Sequence, residues 1–236
     1  MTHAKININL NPRKFSQFLL LIFCLLLIAH ISVVFLKYKI MPGSHLADRL
    51  DQFMDFNKEV NFPTYFNSML LFLSAQTFLL IALCNLHTKF YYKTYWYILS
   101  FIFLFLSIDE YVGIHEWFGG WARQLGVNGT GILRFTWIVP YGIVVFLFGI
   151  YSVKFLLTLE KRFLRGYLIC GTLYLLAAIG IESISGILYE RNNNATSFEY
   201  ILYYATIEES LEMLSLILLL NYNLKFLMAD KASLKT

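Results

Sequence analysis

Residues 15–37 read FSQFLLLIFCLLLIAHISVVFLK, and this stretch decides the fold class. About 20 apolar residues suffice for a helix to cross a hydrocarbon core about 30 Å thick, so the stretch predicts a transmembrane helix. It follows Arg13 and Lys14 as a signal peptide would, but it is too long for an ordinary signal sequence and lacks a small-residue cleavage motif. We therefore expect an uncleaved first span.

Five further apolar stretches follow the first. With 58% hydrophobic and 14% charged residues and a mean hydropathy of +0.60, the chain lies far from soluble proteins, which are about 25% charged. We predict an all-α, polytopic membrane helical bundle in which residues 1–236 form a single integral membrane domain whose main partner is the lipid bilayer; no nucleic-acid surface is indicated. The predicted spans are about 15–37, 65–86, 95–117, 133–157, 164–189 and 199–227.

Basic residues occupy alternate loops, and acids or glycines occupy the others. By the positive-inside rule the basic loops are cytoplasmic, which predicts that the N-terminus and the C-terminus are both cytoplasmic in the plasma membrane of a bacterium, its inner membrane. The basic residues are Lys5, Arg13, Lys14, Lys89, Lys93, Lys161, Arg162, Arg165, Lys225, Lys231 and Lys235.

The two longer external loops differ in character. In the segment 38–64, Leu46, Leu50 and Phe53 recur with helical spacing opposite Asp48 and Asp51, which predicts a short amphipathic helix in the membrane interface. The loop 118–132 is rich in glycine but lacks the features of a phosphate-binding loop, so we interpret it as flexible.

Acidic residues inside the predicted spans are the informative feature for function. Each charged acid near the centre of a membrane helix costs about 2.5 to 3.5 kcal/mol, so a set of them in one small protein requires compensation. Arg134 is the one basic residue expected nearby, and a single positive charge cannot compensate the whole set of acids. The polar candidates are Asp109, Glu110, His115, Glu116, Glu182, Glu208, Glu209 and Glu212.

The predicted topology brings these acids to one level. Asp109 lies roughly 22 Å from the cytoplasmic end of span three, Glu182 has a similar height in span five, and Glu208 lies roughly 14 Å below the outer surface. Glu116 is seven residues from Asp109 and shares its helical face, and His30 of span one falls at the same level. We expect a polar cavity that opens towards the outside.

The first functional hypothesis is a metal-dependent enzyme that acts on a lipid or lipid-linked substrate. Oxygen ligands with one imidazole suit Zn, Mn, Fe or Mg, and a bound water would then be activated for hydrolysis. The motifs HExxH and Glu-x-x-His are absent. The catalytic candidates are Asp109, Glu110, Glu182, Glu208 and Glu209, and the metal-ligand candidates are Asp109, His115, Glu116, Glu182, Glu208, Glu209 and Glu212.

Two alternatives stay open. The acids could form a relay in a proton- or cation-coupled transporter, channel or sensor that binds an ion or small molecule, although no inverted repeat is evident in the chain. They could instead pair with a basic helix of an unknown protein partner in a structural or assembly factor. Two carboxyl groups could also act as acid and base without a metal.

Several other residues have simpler interpretations. His30 is expected to be a packed, hydrogen-bonded helix residue rather than a ligand. Trp96, Trp117 and Trp121 are expected to be aromatic anchors at the membrane interface. The cysteines lie in apolar stretches and are expected to behave as small buried hydrophobic residues.

Three motifs carry a resemblance to known sequences. They are NFPTYFNS at residues 61–68, SIDE with a following HE at residues 107–116, and EE-x-x-EM at residues 208–213. Together they resemble a family of uncharacterised bacterial six-span membrane proteins. The resemblance implies the same six-span layout over most of the chain and brings no activity with it.

Overall fold

The chain is an all-α protein with six helices long and apolar enough to cross a membrane. The computed structural model describes residues 10–84, 90–127, 129–191 and 197–233, and within them no strand occurs. Lys5, Lys89 and Lys235, which supported the predicted orientation, lie outside the described residues. The helices are α1 (Pro12–Ile40), α2 (His45–Met54), α3 (Phe62–Cys84), α4 (Phe90–Val112), α5 (Ile114–Gln124), α6 (Ile138–Leu156), α7 (Lys161–Arg191) and α8 (198–233).

The long helices α1, α3, α4, α6, α7 and α8 confirm the predicted membrane bundle. In α3 and α8, 56% of the most apolar window is buried inside the protein, against 17–28% in the other four, so α3 and α8 form the centre. The remaining spans present many exposed leucine, isoleucine, valine and phenylalanine side chains outward, as lipid contact requires. The chain is a multi-pass membrane protein.

Polar contacts join the central helices within the bundle. Ser68 Oγ donates a hydrogen bond to the carbonyl oxygen of Ser107 at 2.6 Å, and Ser107 Oγ donates to the carbonyl oxygen of Ser68 at 2.8 Å. These small residues let α3 and α4 approach closely. Asn223 of α8 donates to Thr77 Oγ1 of α3 at 2.9 Å, which fixes the register of the two central helices.

The predicted end of the third span is corrected by the structure. The helix ends at Val112 rather than at 117, because Gly113 adopts φ = +69°, a left-handed conformation that stops an α-helix. The new helix α5 then begins in a different direction. Glu116 therefore does not share a helical face with Asp109, and His115 lies outside the membrane-spanning helix.

The glycine-rich loop and the fourth span also differ from the prediction. Residues 114–124 form α5, so the first part of the loop predicted at 118–132 is helical. The fourth span was expected from 133, but a 3₁₀ turn at Gly131–Leu133 precedes a helix that begins at Ile138. Trp117 and Trp121 of α5 are exposed, as interfacial anchors would be, whereas Trp96 is 1% exposed in the core, so its predicted role as an anchor is wrong.

Helix α2 confirms the predicted short amphipathic helix and reveals how it is attached. Its apolar residues Leu46 and Phe53 are exposed, while Asp51 is fully buried. Asp51 Oδ2 accepts hydrogen bonds of 2.6 Å from Lys37 of α1 and Lys58 of the following loop. The apolar side of α2 thus faces away from the protein, where the membrane interface would receive it.

Wide π-helical turns occur in α1, α7 and α8. Two of them, Leu176–Ile181 and Ile201–Ala205, end one residue before Glu182 and three residues before Glu208. In α8 the carbonyl oxygen of Ile201 accepts the wide-turn hydrogen bond of the Thr206 backbone N–H and a second hydrogen bond from Thr206 Oγ1 at 2.8 Å. Such turns are frequent at functional sites.

His30 supports the wide turn of α8. The backbone N–H of Phe56 donates to His30 Nδ1 at 3.1 Å, so the proton of the neutral ring lies on Nε2, which faces Thr206 Oγ1 at 2.8 Å. The imidazole is fully buried and stacks on the Phe56 ring. His30 is a packed, hydrogen-bonded residue, as its interpretation from sequence anticipated.

Substitution of Asp51 tests the attachment of α2. We expect Asp51→Ala to lower the stability by about 2 kcal/mol, because removing one partner of a buried ion pair costs about 3 to 5 kcal/mol and the two lysines are partly exposed. The change would appear as a lower thermal midpoint in detergent. Asp48→Ala, on the exposed side of the same helix, should leave the midpoint unchanged, and an equal loss in both variants would contradict this account.

Candidate functional site

One large cavity lies among α4, α6, α7 and α8, with a volume of about 890 Å³. One end is lined by acids, His115 and Arg134, and we call it the acidic end. The other is lined by Trp96, Phe155 and Tyr167 and is called the aromatic end. The acidic end lies on the membrane face that carries α2, and the cavity extends from there into the apolar half of the bundle.

All the predicted site residues meet at the acidic end. The glutamates of α7 and α8 reach it because the wide turns precede Glu182 and Glu208 directly or within a few residues. Glu116 is exposed at the rim, whereas Asp109 and Glu212 are 4% and 7% exposed. The predicted residues in the cavity lining are Asp109, Glu110, His115, Glu116, Glu182, Glu208, Glu209 and Glu212.

Asp109 is the acceptor in a compact group of hydrogen bonds. Its Oδ1 accepts from the backbone N–H of His115 at 2.7 Å and lies 3.1 Å from His115 Nδ1. Its Oδ2 accepts from the Tyr141 hydroxyl at 2.8 Å. Asp109 thereby caps α5 and ties α4 to α6.

His115 is held as a cation by its neighbours. Burial opposes the charge, but the hydrogen bond and the charge of Asp109, together with Glu59 and Glu110, raise its pKa from 6.5 to about 9. His115 Nε2 lies 3.6 Å from Glu59 Oε1. The pKa of Glu59 itself is raised to about 7, first by burial and then by the charge of Glu116, while His115 opposes the shift.

Gly113 makes room for Glu59. A Cβ atom at position 113 would overlap Glu59 Oε2, and the left-handed backbone there already favours glycine. The glycine that ends α4 thus also admits the carboxyl group that contacts His115.

Asn67 of α3 connects two further acids. Its side-chain amide donates to Glu110 Oε1 at 3.0 Å and to Glu212 Oε2 at 3.1 Å. A carboxylate needs donors when it is removed from water, and one amide group here serves two helices, α4 and α8. Asn67 is fully buried, so this contact belongs to the interior of the bundle.

Glu182 of α7 and Glu208 of α8 bring carboxyl groups from two helices to the acidic end, where Trp137 also lines the cavity. Carboxylates gathered in one apolar site repel one another, so a shared proton or a bound cation would stabilise them.

Cations border the acidic end on one side. Lys58, Arg123 and Arg134 contribute to the lining, and the Arg134 guanidinium lies 5.9 Å from the centre of the Tyr189 ring. Gly186 lets α7 pack closely against the segment that carries Arg134, because a Cβ atom at position 186 would approach Arg134 Cβ to 2.9 Å. Even with these cations, acids outnumber bases around the cavity.

Metal binding was predicted from the same residues and stays a prediction. Asp109, His115 and the four glutamates of α7 and α8 offer oxygen and imidazole donors of the type that Mn, Fe, Mg or Zn accept. Among the residues that the structure describes, no group of three or more His, Cys, Asp or Glu side chains is arranged to hold a metal ion. His115 and Asp109 are already committed to one another.

Four residues of the site were not foreseen from the sequence. Asn67 lay within the quoted motif at residues 61–68, where a buried amide in an apolar helix is a usable signal. Glu59, Tyr141 and Trp137 gave none, because a loop acid and aromatic residues near the ends of spans are common in membrane proteins. Only the folded chain places these four beside the predicted acids.

A pH titration tests the charged state of His115. Because its folded pKa lies above the unfolded value of 6.5, its stabilisation is complete below that pH and is lost as the pH rises through about 9. We expect the thermal midpoint in detergent to fall between about pH 6.5 and about pH 9.

His115→Gln should flatten this fall, since the amide cannot carry the charge. His45→Gln, at an exposed position of α2, is the matched control and should retain it. A fall of the same size in wild type and His115→Gln would contradict the ion pair.

Comparisons with known proteins place the chain in a family. A search of curated proteins and a search of solved structures each returned no match. A family model described as a domain of unknown function, DUF8692, matches residues 19–226, which include all six spans in large part and every residue of the acidic end. The chain belongs to the DUF8692 family.

Proposed function

We propose that this membrane protein binds an amphiphile of the lipid class in the cavity, with its polar head group at the acidic end. The observation that carries the proposal is the change in lining along one continuous cavity. Acids and hydrogen-bonding groups line one end, and apolar side chains line the stretch below it: Leu99, Ile102, Phe103, Leu106, Val144, Val145, Phe148, Leu175 and Ile179.

The size of the cavity supports a ligand of this class. About 890 Å³ falls within the range of about 300 to 1,000 Å³ typical of small-molecule sites. Glu110 and Trp96, which line opposite ends, are fourteen residues apart on α4, or about 21 Å along the helix. An extended chain fits such a space better than a compact molecule does.

The position of α6 supports entry from the bilayer. This helix packs chiefly against α4, with Tyr141 bonded to Asp109 at one end and Phe155 stacked on Tyr95 at the other. Val144 of α6 and Gly171 of α7 line the cavity and are exposed. A lipid chain would reach the cavity between these two helices.

The head group is expected to donate hydrogen bonds. Carboxylates only accept them, and the excess of acids favours a positive charge, so an amine or a head group rich in hydroxyls suits this end. An anionic head group would meet the carboxyl groups of Glu209 and Glu212 and could donate no hydrogen bond to either.

Acid–base catalysis on the bound amphiphile is a second candidate function. The presence of Glu182 and Glu208 at the same end of the cavity favours it, because one carboxyl group would protonate a leaving group while the other accepts a proton from water. A divalent Zn, Mn, Fe or Mg ion at Asp109, His115 and the neighbouring glutamates would add a Lewis acid to such a hydrolase. Stoichiometric metal in the purified protein, lost in Glu208→Gln with Glu209→Gln, is the observation that this extension needs.

Proton or cation transport is less well supported. Transport needs a path through both halves of the membrane, and Glu212 is the last acid of α8 before the apolar half of the bundle. The aromatic end of the cavity offers no carboxyl group, as the lining there shows.

The proposed orientation places the acidic end outside. The basic residues of the predicted cytoplasmic loops favour cytoplasmic termini in a bacterial inner membrane, and α2 would then rest on the external leaflet. A ligand from that leaflet would meet the acids first.

Binding of octadecylamine in lipid nanodiscs tests the proposed function. We expect the amine to bind at least tenfold more tightly than octadecanoic acid. The double variant Glu208→Gln and Glu209→Gln should weaken amine binding about tenfold, since hydrogen bonds to charged groups contribute about 1.5 to 3 kcal/mol. Direct counting of bound ligand by native mass spectrometry gives the affinity.

The matched control removes the same number of charges elsewhere. Glu160→Gln with Glu199→Gln alters two exposed acids outside the cavity lining and should leave binding unchanged. If both double variants weaken the amine equally, general surface charge explains the binding and the proposed site is wrong. Equal affinity for the amine and the acid would also contradict it.

A further inference from the structure

Two buried polar groups at the aromatic end of the cavity have no hydrogen-bond partner. Trp96 Nε1 and the Tyr167 hydroxyl are both inaccessible to solvent and unpaired, and both residues line the cavity. Their rings are in edge-to-face contact with centres 5.8 Å apart. A buried donor without an acceptor is unfavourable, so this pair requires an explanation.

Aromatic rings surround the Trp96 indole, and Nε1 makes no hydrogen bond to any residue that the structure describes. Its ring packs against Phe78, Phe155 and Phe226, with centres 5.9, 5.0 and 5.2 Å away. Aromatic rings fix the indole in place but offer no lone pair in line with the N–H. The indole can only donate, and the tyrosine hydroxyl can donate as well.

We propose that Trp96 and Tyr167 form a second polar subsite, in which a turn of these side chains towards the cavity lets their donors bind a neutral hydrogen-bond acceptor at the far end of the bound amphiphile. An ester, amide or ketone carbonyl oxygen has two lone pairs and can accept from both donors. A carboxylate does not fit, because the basic residues of the lining, Lys58, Arg123 and Arg134, belong to the acidic end. This inference rests on the proposed function, because it concerns the same cavity and ligand.

The two subsites together define the ligand more closely. The acids of α4 and Trp96 lie about 21 Å apart along the helix, so the ligand would carry a donor-rich head group and an acceptor at the ends of an extended apolar chain. Ordinary single-headed lipids, with a methyl group at the chain end, would leave Trp96 and Tyr167 unpaired. The aromatic end therefore selects among amphiphiles that the acidic end would accept equally.

Two amines of equal length test the subsite. Methyl 16-aminohexadecanoate carries an ester near its far end, and octadecylamine carries only methylene and methyl groups there. We expect the wild type in nanodiscs to bind the ester about fivefold more tightly, after correction for partition into protein-free nanodiscs. Trp96→Phe and Tyr167→Phe should each reduce that preference at least twofold, and the double variant should abolish it.

Control variants separate this effect from a general loss of structure. Trp117→Phe and Tyr203→Phe alter exposed residues outside the cavity lining and should keep the preference. Octadecylamine has no acceptor at its far end, so the ratio of the two affinities within each variant separates the loss of the donors from any change in the shape of the cavity.

The outcomes distinguish this inference from the function on which it rests. If both amines bind equally and the aromatic variants change nothing, the proposed function stands and the second subsite is wrong. If the variants weaken both amines alike, Trp96 and Tyr167 only maintain the shape of the cavity, and the subsite is again overturned. If neither amine binds the wild type, the proposed function and the subsite both fail.

Discussion

The burial of several carboxyl groups at one level of a membrane bundle is the constraint on which the rest of the structure depends. Asp109 and Glu110 of α4, Glu182 of α7 and the three glutamates of α8 lie where water cannot solvate them freely. Three of them are brought to neighbours that reduce the cost: Tyr141 and His115 for Asp109, and Asn67 for Glu110 and Glu212. The helices are arranged so that these contacts can form.

Departures from regular α-helix achieve this arrangement. In a regular α-helix, the 3.6-residue repeat alone would set the directions of Glu182 and Glu208. The wide turns before these residues change the direction of each side chain. Gly113 likewise ends α4 soon after Asp109 and turns His115 back onto it. The hydrogen bonds from His30 and Thr206 stabilise one of these turns, which links α1 to the acidic end without any contact between His30 and an acid of that end.

Compensation of the acids explains why the cavity is asymmetric. The hydrogen-bond donors and the basic residues that compensate the acids lie at the acidic end. The rest of the cavity is lined by aromatic and aliphatic residues of α4, α6 and α7. In lipid, apolar packing between helices gains little from the hydrophobic effect, so a loosely packed helix such as α6 can leave space beside it. The hydrogen bond from Tyr141 and the stacking of Phe155 on Tyr95 hold that helix at its two ends.

The sequence by itself determined the six spans, the interfacial helix and the membership of the acidic set, because hydrophobic length and the cost of a charge in lipid are properties of each segment alone. Counting residues from the ends of the spans gave the depth of each acid in the membrane. Asp109, Glu182 and Glu208 were therefore correctly expected to face one cavity. The prediction failed at Gly113, because an isolated glycine in an apolar run gives no sign that it will adopt a positive φ. The helix ends there, so Asp109 and Glu116 do not share a helical face as predicted.

Only the tertiary structure decided which groups compensate the acids. Asn67, Tyr141, Trp137 and Glu59 come from four different segments, and their approach depends on how the helices pack rather than on any local pattern. The same holds for Trp96, which has the sequence position of an interfacial anchor and the buried environment of a core residue. Spans are fixed by the energy of each segment in lipid, whereas partners are fixed by contacts between segments, and those contacts exist only in the folded bundle.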